Sequence, residues 1–492
     1  MRLVKESLIL GTIISLFCGL WTRWLESGAY RLYRRFCTAL RRAVSASVVV
    51  SFFRADWDKH LGSSRICAAL CAPLLRLRAY FAGSSRFAAA ARGSRVLAFL
   101  DVRTAFVFLC LAAFAIPFLP TLVLLILTLA SFVLYALNVV LGRAEMRGAP
   151  GLVGVLMLLF ALCYAVSAVT GLAFPASMES LLMILGLMTA ASVCSALLRD
   201  KRRRDIFLTV LLLSGALMSL YGIYQYLTGV QADAAWVDSE NFAFLTSRAY
   251  STFGNPNVMG EYLIPVCCVG VGMIWTAKSG AARAFYLALT AILAAGLFAT
   301  GSRGSMLGLA CAALLFVIVA DHRLVPLAAA GIAAMPLILP PTLISRFAAV
   351  LTMTDSSSRY RMSIYAACFD MVRDYWTTGI GVSAFSIVYP HYLYSASNAY
   401  HSHNLFLQVL IELGALGFVI FLLLLAAWFQ RLYRRTACEQ TSHRYLTGAV
   451  MCGLAGLLVQ GLTDHLWFNY RIVLLFYIIM GIGLACAGGE EA

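Results

Sequence analysis

From residue 103 to the C-terminus, apolar runs long enough to cross a bilayer follow one another almost without interruption. Nothing constrains this chain more. A hydrocarbon layer offers no water to backbone N–H and C=O groups, so such runs fold as helices that satisfy their own hydrogen bonds. The runs fall near 103–118, 120–141, 151–173, 178–198, 206–228, 257–277, 284–300, 304–320, 324–340, 404–430, 446–463 and 468–488. Of the 492 residues, 62% are hydrophobic and 12% charged, a ratio that excludes a soluble fold of this size. The expectation is an all-α polytopic membrane protein of about twelve transmembrane helices. Its bundle forms one unit, 96–492, behind a basic membrane-associated extension, 1–95.

The charge is unevenly placed. Residues 1–100 hold 16 Lys or Arg against 4 Asp or Glu, whereas the remainder holds 22 against 18. A basic flank beside apolar spans reads as a surface facing anionic lipid in the cytoplasm. No nucleic-acid motif accompanies it, so no nucleic-acid partner is expected. Within the extension, 7–20 reads as an interfacial or re-entrant segment, and 64–82 as a helix lying on the membrane. The 14 cysteines are scattered through apolar runs without metal-ligand spacing.

Basic residues recur in alternate connections: Arg143 and Arg147; Arg199 to Arg204; Lys278 and Arg283; Arg323; and Arg431 to Arg444. With twelve spans these connections share one side, which the positive-inside rule assigns to the cytoplasm of a multi-pass protein of the cytoplasmic membrane. The other side carries two long connections, 229–256 and 341–403, the second between helices nine and ten.

That outer side collects the chemistry. His401, His403 and Asn404 stand at the head of a long apolar rod. Ser402 is expected to cap it, and the positive end of a helix favours neutral imidazole, the form a general base needs. Arg248, Arg303, Arg359 and Arg361 fall on the same side, against the charge bias. Guanidinium forks match phosphate oxygens, so arginines near a histidine suit an anion held as a leaving group. His401-x-His403 alone is a poor metal signal, and there is no P-loop, Gly-x-Ser-x-Gly or His-Glu-x-x-His. The same arginines would also suit a transporter or channel for a small anion. A transporter should show ionisable or broken-helix features near mid-membrane. Here the ionisable residues sit at span ends, which favours an enzyme.

Several motifs carry a family resemblance. His403-Asn404, nine residues, Gly414, two residues and Gly417 fit a pattern of the O-antigen ligase family. FGNPNVMGEYL, SRGSMLG, the Arg361 segment leading to TTGIGVSAF, and HSHNLFLQVLIELG follow in the family's order, so that roughly residues 206–487 resemble it. The resemblance implies a GT-C-type membrane glycosyltransferase that needs no cofactor, metal or nucleotide. It would move a glycan from a polyprenyl diphosphate carrier to a hydroxyl of a glycan or lipid acceptor on the outer face of the inner membrane, as an O-antigen ligase or a cell-surface polysaccharide polymerase. The family also includes protein O-oligosaccharyltransferases and members labelled as bicarbonate-uptake proteins, and the sequence does not choose among them. Under that reading His403 is the base, Arg248 and Arg361 hold the diphosphate, Arg303 supports them, and Asn404 and Asn257 orient neighbours. His401 is expected to face elsewhere.

Overall fold

The computed structural model describes residues 22–45, 99–144, 151–230, 248–319, 356–392, 399–438 and 443–488, with isolated positions elsewhere. Among these residues there is no strand. One helix, α1 (Gly28–Ser45), lies in the basic extension. The bundle begins with α2 (Val102–Ala115), α3 (Thr121–Val140), α4 (Leu152–Thr170), α5 (Phe174–Leu197) and α6 (Lys201–Thr228). It continues with α7 (Pro256–Thr276), α8 (Gly280–Ala299) and α9 (Arg303–Val319). After them come α10 (Ser356–Tyr375), the short α11 (Phe385–Val388), α12 (Leu405–Cys438), α13 (His443–Gln460) and α14 (Tyr470–Ala487).

Eight of these helices are long and apolar enough to cross a membrane, and α2, α9 and α13 are shorter apolar helices. The chain is a multi-pass membrane protein. The expected ninth span, 324–340, and the segments 7–20 and 64–82 lie outside the described residues, apart from isolated positions.

Helix starts follow local sequence. Asp101, Asp200, Asn255, Ser279 and Asn469 each accept a backbone N–H in the first turn of the helix they precede. Pro256 occupies the first position of α7, where its missing N–H costs nothing. α7 and α14 form the buried centre, while α3 and α8 expose most of their apolar surface to the bilayer. α9 packs on α13 at a point where Gly308 and Gly456 face each other. A Cβ on either would stand 2.5 Å from the other's carbonyl oxygen. Small residues let the backbones approach this closely, as in membrane helix pairs generally.

The bundle has two chemically different ends. α6 starts among Lys201 to Arg204 and finishes where Gln225 Oε1 accepts the Ser251 N–H at 2.7 Å. The basic residues and the segment around Arg248 therefore lie at opposite ends of one helix. Asn257, Arg303, His403 and Asn404 stand at or near helix N-termini on the Arg248 side.

α12 is broken. At Gly414 the backbone takes φ 67° and ψ −177°, and the helix resumes beyond it. Residues 376–381 thread past the break. Ile380 and Gly381 donate to the carbonyls of Ile411 and Glu412, and Ala415 donates to that of Trp376. Ser167 of α4 donates to the Glu412 carbonyl at 2.7 Å, and Leu172 to that of Ile380. Groups freed by the break are thus satisfied by backbone rather than left in an apolar layer.

Two predictions follow from this architecture. The positive-inside rule would put the basic end in the cytoplasm; a cysteine replacing Ser357 in a background without reactive native cysteines should then be labelled by an impermeant maleimide from outside. Labelling only after permeabilisation would reverse the orientation. Gly414→Ala forces a side chain into a glycine-only conformation, and its Cβ would meet the Thr377 oxygen at 2.5 Å. The expected loss is at least about 1–3 kcal/mol, read as a lower melting temperature of the purified protein. An unchanged melting temperature would show that the break is not tightly specified.

Candidate active site

The site is assembled where α12, α13, α7 and α10 meet at the end away from the basic loops. Asn404 caps α12: its Oδ1 accepts the Leu407 N–H at 3.0 Å, and its Nδ2 donates to the Leu462 carbonyl at 3.1 Å. The cap is therefore Asn404, not Ser402 as the sequence suggested. Ser402 is fully buried one step earlier and donates to the Asn404 carbonyl at 2.8 Å. Leu405 donates to the Gly461 carbonyl at 2.7 Å, tying this start to the end of α13.

His403 sits between these ties with φ 51°, in the left-handed region that non-glycine residues rarely occupy. Its carbonyl accepts from the Tyr365 hydroxyl of α10 at 3.2 Å. Fixed on both sides, the ring faces Asp464 in the turn after α13, with Nδ1 3.4 Å from Oδ1. That separation is long for a formed hydrogen bond, so the contact is electrostatic first.

Asp464 was not anticipated, and it joins the residues that were. Its Oδ2 accepts from Asn257 Nδ2 at 3.3 Å, and Asn257 Oδ1 accepts from Arg248 Nη2 at 3.2 Å. Arg248 is buried and also donates from Nε to the Thr300 carbonyl at 2.9 Å. Residues separated by more than two hundred positions thus form one chain, Arg248–Asn257–Asp464–His403. The available signal for Asp464 was an acidic residue beside His465 in a short turn between two apolar runs on the histidine side.

Arg361 of α10 lies close enough to Asp464 and His401 to influence both electrostatically. Its Nε is buried with no hydrogen-bond partner among the described residues. Arg303 is the first residue of α9, and a Cβ on the adjacent Gly304 would touch Gln460 and Thr463, just before Asp464. The Arg359 side chain lies outside the described residues.

His401 does not face elsewhere. Its ring centroid lies 4.1 Å from that of His403, 5.7 Å from His465 and 4.5 Å from Phe468. The left-handed backbone at His403 folds the chain back and brings together two rings that stand two residues apart. Burial, followed by His403 and Arg361, lowers the His401 pKa to about 4, although Asp464 opposes the shift. Burial, with His401 next, also holds His465 well below the usual histidine range. For Asp464, burial works against the charged form. His403, His401 and Arg361 outweigh it and keep the carboxylate ionised.

Potential ligand atoms of His401, His403 and Asp464 all lie within 4.8 Å of one another. Such a donor set could take a borderline cation. Internal bonds already occupy part of it, because His401 Nδ1 accepts the His403 N–H at 3.2 Å and Asp464 Oδ1 accepts the His465 N–H at 2.9 Å. No metal role is assigned to this cluster.

The structure thus brings a buried carboxylate, a histidine and a buried arginine together at this end of the bundle. One family model matches part of the chain. Residues 288–422 match the O-antigen ligase family. The matched span runs from α8 across Arg303, Arg361 and both site histidines to the middle of α12. Together with the apolar helices, it supports placing the chain with the membrane O-antigen ligases and polymerases, which act as glycosyltransferases or ligases on lipid-linked glycans. Arg248, Asn257 and Asp464 lie outside the matched span and are brought to it by the fold. No match is found among the curated proteins.

The depressed histidines make stability depend on pH with a definite sign. Neutral His401 and His465 are favoured by the fold, so their contribution is complete above the unfolded histidine pKa of about 6.5. It is lost as pH falls toward the folded value of about 4 for His401. The melting temperature should drop on acidification through this window, and His401→Asn should flatten the drop. A wild-type melting temperature that is constant between about pH 7 and pH 5 would contradict the burial of these rings.

Proposed function

We propose that the protein is a GT-C-type glycosyltransferase that transfers a glycan from a polyprenyl diphosphate carrier to a hydroxyl of a glycan or lipid acceptor, at the outer face of the cytoplasmic membrane. The observation that carries this reading is the linked chain from Arg248 through Asn257 and Asp464 to His403. It joins an anion-binding group to a base within one buried polar cluster.

In this mechanism Arg248 and Arg361 hold the diphosphate, with Arg303 supporting them from the start of α9. Fixed cations at the departing oxygen lower the barrier most, because they stabilise charge that develops only as the glycosyl bond breaks. Asp464 orients the His403 ring through Nδ1 and stabilises the imidazolium. Nε2 is then the atom that removes the acceptor proton. The acceptor oxygen attacks the anomeric carbon from the face opposite the diphosphate, the C–O bond to phosphate breaks, and the configuration inverts. The proton rests on His403 until water or the departing diphosphate takes it. Twelve spans, with 324–340 as the ninth, complete the proposed topology.

An anion transporter is the second reading, and the break in α12 favours it. Yet Gly414 lies only nine residues into a 34-residue helix. Backbone from 376–381 fills the gap, so it does not line a path. Glu261 and Glu412 are buried within α7 and α12, but each lies within about two turns of the site end. The notion that ionisable groups stay at span ends needs only that adjustment.

The test is in vitro transfer with purified protein, lipid-linked donor and acceptor. His403→Ala should reduce the rate by about 10²–10⁴ while donor binding persists. Arg248→Lys and Arg361→Lys should each fail to restore activity, because a point charge lacks the guanidinium fork. Full activity in the His403 variant would remove the base mechanism and strengthen the transport reading.

A further inference from the structure

Behind the histidine cluster lies a cavity of about 270 Å³ that the transfer mechanism has not used. It opens between α4, α5, the start of α12 and the turn leading into α14. His401 forms part of its wall, so the cavity and the catalytic cluster share one side chain. The arginine chain reaches His403 from the other direction, through Asp464. The cavity is therefore separate from the anion-holding part of the site.

Its lining is of two kinds. Tyr400 and Phe468 are exposed at 72% and 58%, forming an aromatic mouth, while Trp467 is buried deeper. On the polar side stands Glu412, buried and held by two donors to its Oε1: Ser383 N–H at 3.0 Å and Gln408 Nε2 at 2.9 Å. Ser383 achieves this with φ 59°, another left-handed non-glycine residue, and its hydroxyl meets that of Ser180 at 2.6 Å. Tyr470 donates to Ser180 at 2.8 Å and continues the polar wall. These contacts fix the carboxylate, and they are built on strained backbone where a simpler turn would leave it free.

Two buried nitrogens in the lining have no partner among the described residues: the Trp467 indole Nε1, a donor, and His465 Nδ1. Unpaired buried polar atoms are uncommon and call for an explanation. Aromatic walls, a fixed carboxylate and spare polar nitrogens together suit one chemical class. A pyranose ring presents an apolar C–H face to an aromatic side chain and a rim of hydroxyls that both donate and accept. The volume falls just below the lower end of the usual ligand-pocket range, which fits one sugar ring rather than a chain of them.

We propose that this cavity is a monosaccharide-binding subsite that seats the terminal sugar of the acceptor against His401, so that its hydroxyl approaches His403 from the side opposite the diphosphate. The assignment to the acceptor rests on the transfer reading given above, whereas the binding of a pyranose does not.

Saturation-transfer NMR on the full-length protein in lipid nanodiscs tests it. The probes are methyl α-D-glucopyranoside, methyl α-D-galactopyranoside and N-acetylglucosamine, each added without lipid-linked donor. At least one should receive saturation from the wild-type protein. Ser386 lies exposed in the lining, so Ser386→Trp fills the cavity from its mouth and should abolish the signal. Tyr400→Ala, an exposed substitution with little risk to folding, should weaken it. Leu227→Ala, an exposed substitution on α6 outside the lining, should leave it intact. No transfer to any of the three sugars, or an undiminished signal in both Ser386→Trp and Tyr400→Ala, would overturn the subsite. If the sugar signal behaves as expected while the His403→Ala variant keeps full transferase activity, the subsite stands and the base mechanism fails. The converse pattern removes the subsite alone.

Discussion

The backbone pairing at Gly414 is the contact on which the working end of this molecule depends. A helix cannot be interrupted inside a membrane protein unless the freed N–H and C=O groups find partners. Here residues 376–381 supply them, and Gly379 and Gly414 approach so closely that a Cβ on either would lie within 3 Å of the other's segment. This pairing fixes α12 before the break as a short, separately oriented helix. It carries His403 and Asn404 at its cap and Glu412 near its end. Ser167 and Leu172 join the same junction, so α4 and the segment after α10 are set by it too.

The second constraint is electrostatic. Asp464 is buried and remains ionised because imidazoles and Arg361 surround it. Removing one partner would leave an uncompensated charge, which is far more costly than the pair is favourable. The cluster therefore couples α7, α10, α12 and α13 and makes their mutual position a condition of stability. Preorganisation of this kind is what a transferase needs. Under the proposed transfer, charge developing on the leaving diphosphate would meet cations already in place, and no solvent would have to reorganise. The left-handed backbone at His403 belongs to the same logic, since it turns His401 and His403 toward a common point.

Much of the architecture was legible in the sequence, because a single strong rule governs it. Long apolar runs must be helical in a membrane, and eleven of the twelve expected segments coincide with described helices, the remaining one lying outside the described residues. Helix starts such as Asn255 followed by Pro256 obey local preferences as well. Arg248, Arg303, Arg361, Asn257, Asn404 and His403 were recognisable as unusual polar residues on one side of the bundle and as parts of a familiar motif order.

What the sequence could not determine are the meetings between distant segments. Asp464 was not singled out at all, and only the packing of α13 on α7 places it between His403 and Asn257. His401 was assigned away from the site by its offset from His403, a rule that holds for regular backbone and fails at φ 51°. The break at Gly414 looked like one continuous rod, because a glycine in an apolar run does not announce which backbone will pair with it. The cavity behind His401 has no sequence signature, since its walls come from α4, α5, α11, α12 and the turn before α14. Periodicity, hydropathy and capping act over a few residues and so can be read along the chain. Register between helices and the sharing of a buried charge depend on close packing in three dimensions, and only the folded structure decides them.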